Sequence, residues 1–130
     1  MASNEELIRK GFKAFDDGDL ATLDQLVADD VVWVSEGNNV LSGRYEGKQA
    51  LFELWATIPG LVDGKFNQHA VEVFTDDRVA VAVTEVTADR KGKHLEKARG
   101  VIVFVIKDGR VTEGRVIAAD PAQDDEFWAK

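Results

Sequence analysis

Cysteine is missing from this 130-residue chain altogether. Disulfides, thiolate nucleophiles and thiolate metal sites are thereby excluded. Histidine occurs twice, as His69 and His94, with no HExxH or comparable spacing to carboxylates, so no metal site is expected. Lys and Arg together number 16 against 24 Asp and Glu, a net charge of -8. Such a surface repels phosphate backbones, and no Lys/Arg cluster with interleaved aromatics offsets it, so nucleic acid is not an expected partner. No apolar run approaches the roughly 20 residues of a membrane-spanning helix, and no membrane partner is expected. The start, MASNEELIRK, is polar and acidic rather than signal-like, and a cytoplasmic location is the default expectation. The stretch GNNVLSG (Gly37–Gly43) lacks the lysine and spacing of a phosphate-binding loop, and no cofactor is expected.

What is present suits one domain, residues 1–130, with one core. Ser3 followed by Glu6 fits a capping box, after which Leu7, Ile8, Phe12 and Phe15 recur at helical spacing up to Gly18. Asp19 can cap a second, shorter helix with Leu20, Leu23, Leu26 and Val27 on its apolar side, ended by Asp29 and Asp30. A third helix is predicted from Lys48 to Ile58, stopped by Pro59. Strands follow. Val31–Ser35 is a short β-branched run, and a Gly/Asn/Ser-rich stretch through Gly47 reads as a loop or loose hairpin. Longer runs cover Phe66–Thr75, Arg78–Asp89, Ala98–Lys107 and Arg110–Asp120. Their connections at Asp76-Asp77, Arg90–Lys93 and Asp108-Gly109 are tight, which requires antiparallel neighbours.

VAVAV (Val79–Val83) and VIVFVI (Val101–Ile106) are apolar at odd and even positions alike. Successive side chains of a strand point to opposite faces, so both faces of this sheet need burial. Three helices in the first half cover one face. Either a second copy of the sheet covers the other, giving a homodimer, or the sheet rolls up within one subunit.

Helices first and then a curved antiparallel sheet is an order that resembles the nuclear transport factor 2-like superfamily. FDDGDLATLDQLVADDVVW (Phe15–Trp33), LSGRYEGKQAL (Leu41–Leu51) and DGRVTEGRV with Asp120 and the terminal Phe127-Trp128 resemble its SnoaL-like branch, which includes polyketide cyclases and relatives of ketosteroid isomerase. The resemblance implies an α+β fold in which three N-terminal helices pack on a curved antiparallel sheet to form a cone with an internal apolar pocket. It also implies dimerisation through the sheet. The catalytic base of ketosteroid isomerase would fall at Ser35, next to Glu36, but its tyrosine falls near Gly11 and its protonated acid near Val101 and Ile102. Steroid-type isomerisation by that apparatus is therefore not expected. The Arg and first Asp of the epoxide hydrolases fall at Val86 and Ala88, while Asp120 resembles their second Asp. Cyclases of the SnoaL type place an Asp where Asp120 stands, but where their histidine would lie this chain has Arg99 followed by apolar residues.

Individual side chains carry paired readings. Asp120 ends an apolar strand just before Pro121 and Gln123, so it is a pocket carboxylate, a helix cap, or both. His69 begins a strand run and shares a face with Val71 and Val73; it is a proton shuttle if that face turns into the cone, and otherwise a hydrogen-bonded structural histidine. Glu85 continues the face of Val79, Val81 and Val83, and is a buried general acid or the point where the strand leaves the core. Arg99 and Arg115 neutralise these acids, anchor an anion, or sit on the surface. Trp33, Trp55 and Trp128 line a pocket with Ser35 or fill the core, Trp128 folding over the mouth. Two functions follow. One is a cofactor-independent acid–base enzyme (isomerase, cyclase or hydrolase type) acting on a small, mostly apolar organic molecule, with Asp120, His69 and Glu85 as catalytic candidates. The other is a non-catalytic domain of the same fold that binds a hydrophobic ligand or dimerises.

Overall fold

The computed structural model describes residues 3–130. Helix α1 (Asn4–Asp17) begins at Ser3, whose hydroxyl accepts from the Glu6 N–H at 3.1 Å, and ends at Gly18 in the left-handed conformation (φ 70°). Asp19 caps α2 (Leu20–Leu26), as its carboxylate accepts from the Thr22 N–H. The chain then enters β1 (Val27–Ser35), so Val27, Asp29 and Asp30 belong to a strand rather than to the end of the helix. The Gly/Asn/Ser-rich stretch is a loop leading into a short strand, β2 (Gly43–Glu46).

Helix α3 (Lys48–Leu61) runs through Pro59 instead of stopping before it. Four long strands follow: β3 (Asn67–Thr75), β4 (Val79–Arg90), β5 (Lys93–Lys107) and β6 (Arg110–Ala118). A fourth helix, α4 (Pro121–Phe127), completes the described chain. The α+β expectation therefore holds, with one helix more than the three predicted at the N-terminus.

The six strands form one sheet in the order β2-β1-β6-β5-β4-β3. The strands from β3 to β6 pair antiparallel as expected, but β1 lies parallel to β6. That parallel step arises because β1 and β6 are far apart in sequence and joined by no hairpin. The concave face carries Ala80, Ala82, Ile102 and Phe104, which pack with Leu7, Ile8, Leu51 and Leu54 of the helices. A second cluster at the other end of the sheet holds Val62, Ala88, Leu95, Phe127 and Trp128. The opposite, convex face is only half-buried along Val79, Val81 and Val83 of β4 and Val101, Val103 and Val105 of β5. Phe74, 60% exposed, stands beside Val81 on that face.

Candidate functional site

Rings meet edge-on through the middle of the cone. Trp33 contacts Trp55 with centroids 5.6 Å apart and Phe104 at 6.0 Å, and Phe15 bridges Trp55 (5.6 Å) and Phe66 (6.3 Å). Such stiff side chains cannot collapse onto one another, and they leave a chamber of about 140 Å³ between helices and sheet. Its walls are almost wholly apolar. The polar exceptions are the Ser35 hydroxyl and the Gln68 amide.

Ser35, Leu41, Phe66, Gln68 and Val116 border a second cavity of about 90 Å³, so they form a neck between chamber and vestibule. The vestibule is polar: Glu36, Thr84, Arg99, Asp120, Gln123 and Asp124 surround it. Helix α4 forms part of its wall. The helix is tethered to the loop after β1 by Asp125, which accepts from the Asn38 N–H and the Asn39 amide, each at 2.8 Å. At its other end Arg90 Nη1 and Lys93 Nζ donate to the carbonyls of Phe127 and Glu126. Cations there satisfy carbonyls that a helix end leaves free. Trp128 is 3% exposed and packs on Phe66.

Two carboxyls of α4 border the vestibule, one turn apart. Asp120 caps the helix, its Oδ1 accepting from the Gln123 N–H at 3.1 Å. Asp124 sits deeper. Burial pushes its carboxyl above the usual carboxylate range of 3.8, and the neighbouring Asp125 adds to this, while the Trp128 and Asn39 side chains donate to it in opposition. Asn39, itself buried, also fixes the adjoining loop by accepting from the Leu41 N–H. A desolvated carboxyl of this kind holds its proton to higher pH than an exposed one.

The other candidates separate in space. His69 faces Glu85 across β3 and β4 on the convex side, exposed and outside both cavities. A bulge between Ala70 and Glu72 is the cause: the extra residue reverses the alternation, so Val73 points inward and His69 outward. Glu85 lies on that face too, held by Arg99 at 3.1 Å. Arg115 pairs with Glu36. Asp120, Ser35 and Trp128 therefore come together at the vestibule with Arg99 at its border, Trp33 and Trp55 line the chamber, and His69 and Glu85 do not join them. His94 lies on an exposed segment, and hydrogen bonds that its ring donates to Asp89 and then to Glu96 hold its pKa up.

Asp124, Thr84 and Gln68 escaped the sequence reading. Thr84 carried a signal, since it is the polar member of the inward series Ala80, Ala82, Thr84. Among the described residues, no group of three or more His, Cys, Asp or Glu is placed to hold a metal, and no helix is long and apolar enough to cross a membrane.

Comparison with known proteins agrees with this architecture. The model of the SnoaL-like domain family matches residues 8–114. An uncharacterized protein of Mycobacterium tuberculosis is 33% identical over 125 residues, 95% of either chain. Bal32a, from a soil-derived mobile gene cassette, superposes with a TM-score of 0.90 at 33% identity, over 96% of this chain and 95% of its own. IdmH of Streptomyces antibioticus, proposed as a polyketide cyclase, shares the fold at a TM-score of 0.75 and 15% identity, over 98% of this chain and 96% of its own. With chamber, neck and vestibule built on helices and sheet in this order, the chain belongs to the SnoaL-like domain family.

Proposed function

We propose that the protein is a cofactor-independent acid–base enzyme acting on a small, mostly apolar organic molecule, of the kind that isomerises, cyclises or hydrolyses. One observation carries this reading: an aromatic-walled chamber narrows into a vestibule bordered by a desolvated carboxyl, Asp124, one helical turn from a fixed carboxylate, Asp120. The apolar body of the substrate lies against Trp33 and Trp55, and its reacting group reaches through the neck. Asp120, with one oxygen tied to the Gln123 N–H, takes a proton from substrate carbon on the other. Asp124 delivers its proton to the oxygen that gains charge, and the two carboxyls exchange roles as the product forms. The cyclase proposed for IdmH is in keeping with such chemistry in this fold.

The experiment is a thermal-shift screen of cyclic ketones and esters, followed by NMR of each bound compound in deuterated water. Wild type exchanges or converts an acidic C–H. Asp120→Asn and Asp124→Asn still bind but lose turnover by about 10²–10⁴-fold, the usual worth of a general acid or base. Binding with no exchange, or equal turnover in both variants, favours a passive binding domain instead.

We further propose that two copies pair through the convex face. Phe74, Val71 and Ile117, 60%, 38% and 37% exposed, together with the half-buried valines of β4 and β5, support it. Light scattering on the eluted protein gives a dimer mass, and Phe74→Lys gives a folded monomer. A monomeric wild type rejects the pairing.

A further inference from the structure

The vestibule holds polar groups that the fold itself does not use. Thr84 is 3% exposed, yet its hydroxyl is spent on no other described residue and opens into the cavity. The Gln68 amide and the Ser35 hydroxyl at the neck are likewise free of protein partners among the described residues. A hydroxyl that opens into a cavity is available to a ligand that brings it a hydrogen-bonding partner. Beside Thr84 the central strand carries a glycine. A β-carbon at Gly100 would meet the Ile117 carbonyl at 2.8 Å and the Thr84 hydroxyl at 3.5 Å, so the bare backbone keeps this corner open.

The charges around these neutral groups are unevenly disposed. Glu36, Asp120 and Asp124 border the vestibule, and Arg99, the cation that borders it, is held by Glu85 at 3.1 Å. Glu36 in turn is bound to Arg115. An incoming carboxylate would meet acids and a guanidinium already engaged. A ketone or hydroxyl oxygen meets three free groups, each able to donate a hydrogen bond.

Building on the acid–base reading of the same site, we infer that the vestibule recognises an uncharged oxygen head group, a ketone or alcohol, through Thr84, Gln68 and Ser35, and rejects a carboxylate head. Thr84 and Gln68 are then specificity-determining residues, while the chamber accepts the hydrocarbon.

Isosteric probes test this: 2-tetralone, 2-hydroxytetralin, tetralin-2-carboxylate and unsubstituted tetralin, titrated at neutral pH with tryptophan fluorescence as the readout. The ketone and alcohol bind at least about tenfold more tightly than the carboxylate, the difference expected when a buried charge goes unpaired. Thr84→Val and Gln68→Leu each weaken ketone and alcohol by about 3- to 10-fold, one hydrogen bond's worth, and leave tetralin unchanged. Circular dichroism verifies that both variants fold. The inference is overturned if the carboxylate binds as tightly as the ketone. It is overturned equally if Thr84→Val weakens tetralin as much as the ketone, or if no probe binds. A tight carboxylate that undergoes proton exchange would sink this inference and spare the enzyme. A tight ketone without exchange would do the reverse.

Discussion

Gly114 sits on β6 directly beside Trp33 of β1, and the indole occupies the space a side chain at Gly114 would fill. A β-carbon built there would stand 2.2 Å from both Cε3 and Cζ3 of that ring. Carbon atoms in ordinary contact are about 3.5 Å apart, so in Gly114→Ala the indole must retreat by about 1.3 Å. Trp55 and Phe104 hold the ring from other sides, at 5.6 and 6.0 Å between centroids, and the free direction is into the chamber. Overpacking of this kind costs about 1–3 kcal/mol. For a chain of this length each kcal/mol moves the melting temperature by about 3–5 °C, so calorimetry is expected to show a fall of about 3–15 °C. The mechanism predicts more than a number. In a Trp33→Leu background the clash is gone, so the two substitutions couple by about 1–2 kcal/mol. Ligands of the chamber, which the displaced indole invades, bind more weakly to Gly114→Ala. A melting temperature within 1 °C of wild type, or an equal loss with and without the indole, would refute the reasoning.

Asp124→Asn tests the buried carboxyl. Its native pKa lies above the unfolded value of 3.8, so its contribution to stability is fully present below that value and is lost as pH rises through the native pKa. The variant should therefore gain on wild type in thermal melts as pH rises from about 4 toward 8, and a difference that stays flat contradicts the burial argument. Asn39→Ala removes the donor to Asp125 and leaves the buried-loop N–H of Leu41 without its acceptor, at a cost of about 2–4 kcal/mol by denaturant titration. Arg90, 3% exposed, gives one guanidinium nitrogen to the Phe127 carbonyl while its Nε has no partner among the described residues. Arg90→Ala is expected to cost about 2–4 kcal/mol and to speed hydrogen exchange at the Trp128 amide, and unchanged exchange would mean that α4 does not depend on this anchor.

The elements that local chemistry dictates were legible in the sequence. Ser3 and Asp19 cap helices because a short oxygen side chain reaches a free N–H within its own turn. Asp108 and Gly109 turn a hairpin because both adopt positive φ, 52° and 76°. Pro59 misled, since proline ends a helix only when its missing N–H and ring displace the turn, and α3 absorbs it within its last residues. His69 misled for a different reason. Strand alternation assigns faces correctly only while the count is unbroken, and the bulge after Ala70 inserts one residue that no local pattern announces.

Asp120 and Asp124 show why the site was harder to read than the fold. Asp120 stands out because it ends an apolar run before a proline, and that same position gives it a helix N–H to accept. A carboxylate satisfied in this way, by the chain a few residues on, is fixed by local chemistry alone. Asp124 lies in an acidic run, Asp124-Asp125-Glu126, that looks like solvated surface. What distinguishes it is Asn39, 85 residues earlier, and the indole of Trp128, which bring amide and ring against one member of that run. Its neighbour Asp125 takes the Asn38 N–H and keeps a lowered pKa, so two adjacent aspartates are driven apart by their tertiary partners. A carboxyl with a raised pKa is made here by burial against distant residues rather than by residue type, so the capped aspartate could be singled out from sequence and the desolvated one could not.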